Sequence, residues 1–468
     1  MSFQSFTFLL FFAVSLPLLL LTARRSRVTA ERLLLLVSFL FACSFGKGAL
    51  YLLFSAFITA FAVDVLTRLE EHRLTAFRLA VVFHVLSLCY FKYAGFFDGL
   101  SPVMPVGFSF FTFQQIWYLK ECCFDGYTRV GYRRWLLASF FFPTLVSGPI
   151  LRPGSLLPQL DSGALRPSFD DASAGLYGFA VGMAKKVLLA DSLAGIADKG
   201  WSFLSDLTAP EAWCVIFAYS LQLYFDFSGY CDMATGLARM LGIRLPRNFD
   251  KPYRAVSVTD FWKRWHITLT SFLRECIYFP LGGSRKGKLN TYANILIVFL
   301  VSGLWHGAGW GFVLWGLCHG AFSCAERAIG EERLSRIPVP VRRGLTFLTV
   351  TLLWVFFRAP SVADAFSLLR TAVGNPFYLP ADWLASDVLP TETEALRHLF
   401  PATLPLLQSL LALLLPAVAL LLSMLKTDPQ KEMENFRPTA LRSVLTVLLL
   451  VWSLLSFENV STFLYANF

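Results

Sequence analysis

Charge is what this chain has least of. Charged side chains make up 15% of its 468 residues, where a soluble domain carries about 25%. Such a chain cannot clothe a globule in hydrated surface, and a soluble fold is excluded. Its nine cysteines are scattered, with no C-x-x-C pair. That removes zinc and disulfide frameworks and leaves buried thiols. There is no P-loop, no G-x-S-x-G elbow and no H-E-x-x-H helix. Neither an internal repeat nor a stretch fit for a separate soluble domain is visible. The first apolar run lacks the basic start of a secretory signal. Its charge comes afterwards, at Arg24, Arg25 and Arg27, which reads as a first membrane helix.

What is present is apolar length. Hydrophobic residues are 56% of the chain. Runs near 20 residues recur at 4–22, 33–66 (broken near Gly46-Lys47-Gly48), 76–97, 103–119, 135–150, 173–190, 212–230, 291–323, 344–358, 403–425 and 440–458. Continuous runs predict helices, not the alternating strands of a barrel. The expected fold is an all-α polytopic membrane protein, a single domain over 1–468, with roughly 10–12 transmembrane or membrane-embedded helices. The 47 phenylalanines, 12 tryptophans and 15 tyrosines supply interfacial anchors. A net charge of +10 then marks cytoplasmic loops, not affinity for nucleic acid.

Most of that excess lies in one place. Residues 244–288 hold ten Lys or Arg against Asp250, Asp260 and Glu275, so 244–290 is expected as a basic cytoplasmic or interfacial segment. Residues 376–402 are acidic and expected outside. Residues 324–343 carry five arginines and again read as cytoplasmic, so the run 291–323 would begin and end on one side. As one helix it would measure about 50 Å, too long for a hydrocarbon core of about 30 Å. Gly303, Gly307, Gly309 and Gly311 sit at its centre. The expectation is a broken or re-entrant pair of short helices with His306 near the break.

Two histidines bracket the informative stretch. Ser257-Val-Thr-Asp260 reads as a helix start. Phe261, Trp265, Leu269 and Phe272 then form one apolar face, which suits an amphipathic helix at the membrane surface. Lys263, Arg264, Trp265 and His266 lie on it. The bland reading is an interfacial anchor; the sharper one is a basic vestibule for the phosphates of an acyl thioester. Ser302-Gly-Leu-Trp305-His306-Gly307 is the second segment. An imidazole within the membrane is rare and marks a functional site. His306 can act as general base toward a hydroxyl attacking a thioester, or carry the acyl group itself. Lys263, Arg264, Trp265, Ser302 and Trp305 are the candidate donor-binding residues. His319 reads as structural. His72, His84 and His398 fall near loops or helix ends. Asp226 is expected in a structural pairing.

Together these segments resemble the membrane-bound O-acyltransferase family, in its bacterial branch that serves alginate and peptidoglycan O-acetylation and teichoic-acid D-alanylation. The resemblance lies in PVGFSFFTFQQIWY (105–118), FFPTLVSGPILRP (141–153), LQLYFDFSGYCDMATGLARMLGI (221–243), RNFDKPY through DFWKRWHITLTSFLRECIYFPLGG (247–283), SGLWHGAGWGFVLWGLCHG (302–320) and WVFFRAPSVADAFSLL (354–369). It implies a central tunnel, His306 as the catalytic histidine and His266 as its companion. It also implies an acetyl-CoA or acyl-carrier thioester as donor, with no bound cofactor and no metal. Beyond that it implies a polysaccharide acceptor, a periplasmic SGNH-type acetyltransferase as partner, and a bacterial inner-membrane location. One departure stands at Trp117-Tyr-Leu-Lys120-Glu121-Cys122-Cys123, where members often carry Asp-Val-Tyr-Arg. The competing reading is a transporter of a polar lipid or sugar precursor, which an internal repeat would favour. A scaffold for polysaccharide export would need neither histidine.

Overall fold

The computed structural model describes residues 1–98, 102–425, 428–457, 461, 463 and 464. Among the described residues every regular element is helical, as uninterrupted apolar runs demand where backbone groups must bond within their own segment. The first four helices run back and forth: α1 Phe6–Arg25, α2 Arg27–Cys43, α3 Gly48–Arg68 and α4 Arg73–Asp98. Ser5 and Ser26 cap α1 and α2 by accepting from Phe8 N–H and Thr29 N–H. Next come α5 Phe108–Phe124, α6 Phe169–Ala184 and α7 Ala209–Met240. The site segment contains α8 Val258–Arg264, α9 Ile267–Leu273, α10 Lys288–His306 and α11 Trp310–Ile329. The chain closes with α12 Val339–Arg358, α13 Leu404–Ser423 and α14 Ala440–Leu455.

The 32-residue helix α7 is the axis of the molecule, buried along nearly its whole length. It meets α6 backbone to backbone. A Cβ on Gly236 would come within 2.5 Å of the Gly175 carbonyl oxygen, and one on Gly182 within 2.6 Å of the Gly229 oxygen. Only hydrogen fits at such an approach. Beyond Ala184 the helix widens into one π turn, Lys185–Ala190. The widening seats two adjacent lysines against α7: Lys185 Nζ lies 2.6 Å from Asp232, and Lys186 Nζ 2.7 Å from Asp226 and 2.8 Å from Asp191. Asp226 is thus held in the structural pairing its sequence position suggested.

Among the described residues six helices are long and apolar enough to cross a membrane: α1, α3, α4, α10, α12 and α13. Helix α7 is less apolar because it carries Gln222, Asp226 and Asp232, all buried, the two carboxylates paired with Lys186 and Lys185. The chain is a multi-pass membrane protein.

The run 291–323 folds as an antiparallel hairpin, α10 and α11, turning at Gly307–Gly309. Gly303 packs on Phe312, Gly316 on the Phe299 carbonyl, and Cys324 Sγ reaches the Tyr292 carbonyl. At 1.5 Å per residue the arms are about 28 and 30 Å long. They are therefore full-length helices, not the short pair expected. Lys288 and Arg327 lie at the same end of the hairpin. The expected surface helix over 258–272 is also different. It breaks at Trp265–His266, where His266 adopts φ 45° and ψ 54°, and Phe261, Trp262, Trp265, Leu269 and Phe272 are all buried. It is a core element because the kink turns both of its short helices into the bundle.

Lys186→Met removes the cation shared by Asp226 and Asp191. Leaving buried carboxylates unpaired costs about 3–5 kcal/mol, so the detergent-solubilised variant should unfold at a clearly lower temperature than wild type. An unchanged midpoint would show that these carboxylates do not depend on Lys186.

Candidate active site

Asn248 builds the kink that presents His266. Its backbone carbonyl accepts from Ile267 N–H at 2.9 Å. Its side-chain oxygen accepts from Thr268 N–H at 3.2 Å and Thr268 O–H at 2.9 Å, so it caps α9. A backbone N–H can only donate, which fixes Oδ1 on that side of the amide. The amide nitrogen donates to Cys231 Sγ at 3.3 Å. His266 Nδ1 stands 3.2 Å from the same Oδ1. Facing an acceptor, Nδ1 carries the proton, and the proton-accepting pair of the neutral ring is on Nε2.

His306 is the last residue of α10, at the hairpin turn. Its ring meets Trp305, Trp315 and Phe357 at centroid distances of 4.5, 5.1 and 4.9 Å. His266 meets Phe110 at 5.7 Å, Phe227 at 4.7 Å and Trp305 at 6.5 Å. The Trp305 indole is therefore a wall common to both imidazoles. His266 is 1% and His306 4% exposed. Residues 40 apart in sequence are brought into one aromatic box, and His266 and Lys92 both stand within electrostatic reach of His306.

The other candidates are placed unevenly. Ser302 is buried on α10, one turn before His306. Trp265 packs in the core against Phe261 and Trp354, at 5.4 and 5.2 Å. Arg264 is drawn to Asp260, with Nε 2.9 Å from Oδ1, and Lys263 is exposed. His319 Nδ1 accepts from Trp262 Nε1 at 3.2 Å, inside a ring of aromatics, a core role. His84 lies well inside α4, buried against Thr59 at 2.8 Å, away from any helix end. The divergent end of α5 is charge-compensated: Arg152 bonds Glu121 at 3.1 Å and Glu275 at 2.7 Å, and lies 3.7 Å over the Trp117 ring.

The space expected as a tunnel is, around the histidines, filled by these rings. A cavity of about 600 Å³ lies beside them, between α6, α7, α13 and α14, with Lys185, Tyr224, Asp232, Phe249 and Lys251 among its lining residues. Two rings separate it from His266: Phe249 meets Phe227 at 5.0 Å, and Phe227 meets the imidazole. Sequence reasoning missed Asn248 and Lys92. Asn248 stood inside the quoted RNFDKPY block, and Lys92 is a lysine in the apolar run 76–97, itself a signal at membrane depth.

Residues 134–360 match the membrane-bound O-acyltransferase family. The chain is 37% identical over 396 residues to a probable alginate O-acetylase of Pseudomonas aeruginosa, covering 79% of this chain and 74% of that protein. It is 36% identical over 337 residues to a peptidoglycan O-acetyltransferase of Helicobacter pylori, covering 63% of this chain and 64% of that protein, just under two thirds of its length. A teichoic acid D-alanyltransferase of Bacillus subtilis is 26% identical over 302 residues, 59% of this chain and 74% of that protein. The matched stretch takes in both histidine segments. The chain belongs to the membrane-bound O-acyltransferase family and is by class an acyl-transferring membrane enzyme.

Proposed function

We propose that this protein takes an acetyl group from a cytoplasmic thioester, acetyl-CoA or an acyl carrier, and passes it across a bacterial inner membrane for O-acetylation of a cell-surface or secreted polysaccharide. An alginate-like polymer or peptidoglycan is the acceptor class, with a periplasmic SGNH-type acetyltransferase as the partner that completes the transfer. The observation that carries the reading is the imidazole pair about Trp305 at the tip of a membrane-length hairpin. The hairpin's basic end, with Lys288 and Arg327, faces the cytoplasm under the positive-inside rule. Its tip then stands toward the outer face, where an acceptor arrives.

In this reading His306 takes the proton of the acceptor hydroxyl as the oxygen attacks the thioester carbonyl. The C–S bond breaks, and the leaving thiolate takes the proton back from the imidazolium. His266, its tautomer set by Asn248, offers Nε2 beside Trp305 and assists. The dry aromatic walls strengthen every electrostatic contact inside and keep water from the thioester. The cavity beside the site carries Lys251 of the basic segment in its lining, which supports donor approach from that side. For a donor there to reach His266, the Phe227 ring must turn aside. Trp305 and Ser302 are the donor-facing candidates on α10, and Lys263, Arg264 and Trp265 those on the basic segment.

His306→Ala should abolish alkali-labile acetyl on the exported polymer in a complemented deletion strain, with the protein still present in the membrane. Acetylation at the wild-type level in that strain would sink the proposal. Asn248→Ala frees the His266 ring to take the other tautomer and should lower acetylation about 100-fold. If Asn248→Ala is fully active while His266→Ala is dead, Asn248 does not set the tautomer.

A further inference from the structure

Helix α10 ends at its most consequential residue, and a helix end has carbonyls with no partner inside the helix. At this end they are met from another helix. Lys92 Nζ donates to the Trp305 carbonyl and Tyr93 O–H donates to the Leu304 carbonyl. Both donors come from adjacent positions of α4, more than 200 residues earlier in the chain. The ammonium also lies 5.3 Å from the centre of the Trp305 ring, the ring shared by the two imidazoles. The residue after His306 is Gly307, with extended backbone, φ 177°, so the chain leaves the helix at once and supplies no local cap. A lysine at this depth is costly unless its charge is used. Here it meets the negative end of the α10 dipole, at the carbonyl of the residue before His306.

We infer that Lys92, seconded by Tyr93, is a positioning residue of the acyl-transfer site: it clamps the last carbonyls of α10 so that His306 stands at a fixed place and angle in its aromatic box. The inference rests on the reading that His306 is the reacting imidazole. Hydrogen bonds to both carbonyls that precede the histidine stop the last turn from fraying. Misplacing a reacting group by about 1 Å can cost about 100-fold in rate, so loss of the clamp should be felt in turnover more than in folding.

The test uses the full-length protein in a deletion strain fed labelled acetate, reading alkali-labile acetyl on the exported polymer per unit of membrane-inserted protein. This readout does not depend on which thioester is the donor. Lys92→Met should reduce acetylation about 100-fold, Tyr93→Phe about 10-fold, and Lys92→Arg should restore most of the loss because it keeps both the charge and a donor. Wild-type acetylation in Lys92→Met, or Lys92→Arg as inactive as Lys92→Met, overturns the inference. Should Lys92→Met not accumulate in the membrane, Lys92→Gln and Tyr93→Phe decide: full activity in both overturns it, and a graded loss in folded protein supports it. His306→Ala run alongside separates the two levels. Activity retained there removes the underlying reading and this inference with it. Inactivity there with full activity in Lys92→Met removes this inference alone.

Discussion

A single amide oxygen organises the centre of this protein. Asn248 Oδ1 lies within hydrogen-bond distance of the Thr268 amide, the Thr268 hydroxyl and the His266 ring. Buried polar groups must be satisfied or they cost stability, and here one acceptor satisfies the start of a helix and an imidazole together. The left-handed turn at His266 follows from that constraint. A residue with a side chain pays for a positive φ, and the bonds to Asn248 hold it there. Without the turn, α8 and α9 would run on as one helix.

The second constraint is the close approach of helix backbones. Gly303 against Phe312 and Gly316 against Phe299 allow α10 and α11 to lie nearly in contact. The same device joins α6 to α7. Lipid offers no hydrophobic push between helices, so close van der Waals packing does that work. Helices packed this way fix the hairpin whose tip carries His306.

Much of this was legible in the sequence and some was not. The helical class and the break at the glycines about His306 followed from apolar run length, glycine spacing and charge asymmetry. Those signals are local, and the physics behind them is local. The turn at His266 was not legible, because the apolar spacing of Phe261, Trp265, Leu269 and Phe272 fits a continuous helix equally well. What breaks it is Asn248, eighteen residues away, whose carbonyl and side chain take over the cap. Lys92 was passed over for the same kind of reason: its meaning lies in a contact with Trp305 that no window along the chain contains. Apolar length does not distinguish a helix facing lipid from one, such as α7, that is buried along nearly its whole length.

The pair of rings between the large cavity and His266 has a consequence for the membrane as a whole. A membrane protein with a hollow among its helices risks becoming a leak for protons and water. Phe249 on the wall of the hollow packs on Phe227, and Phe227 packs on His266, so two aromatic rings stand on that route as an apolar barrier to protons and water.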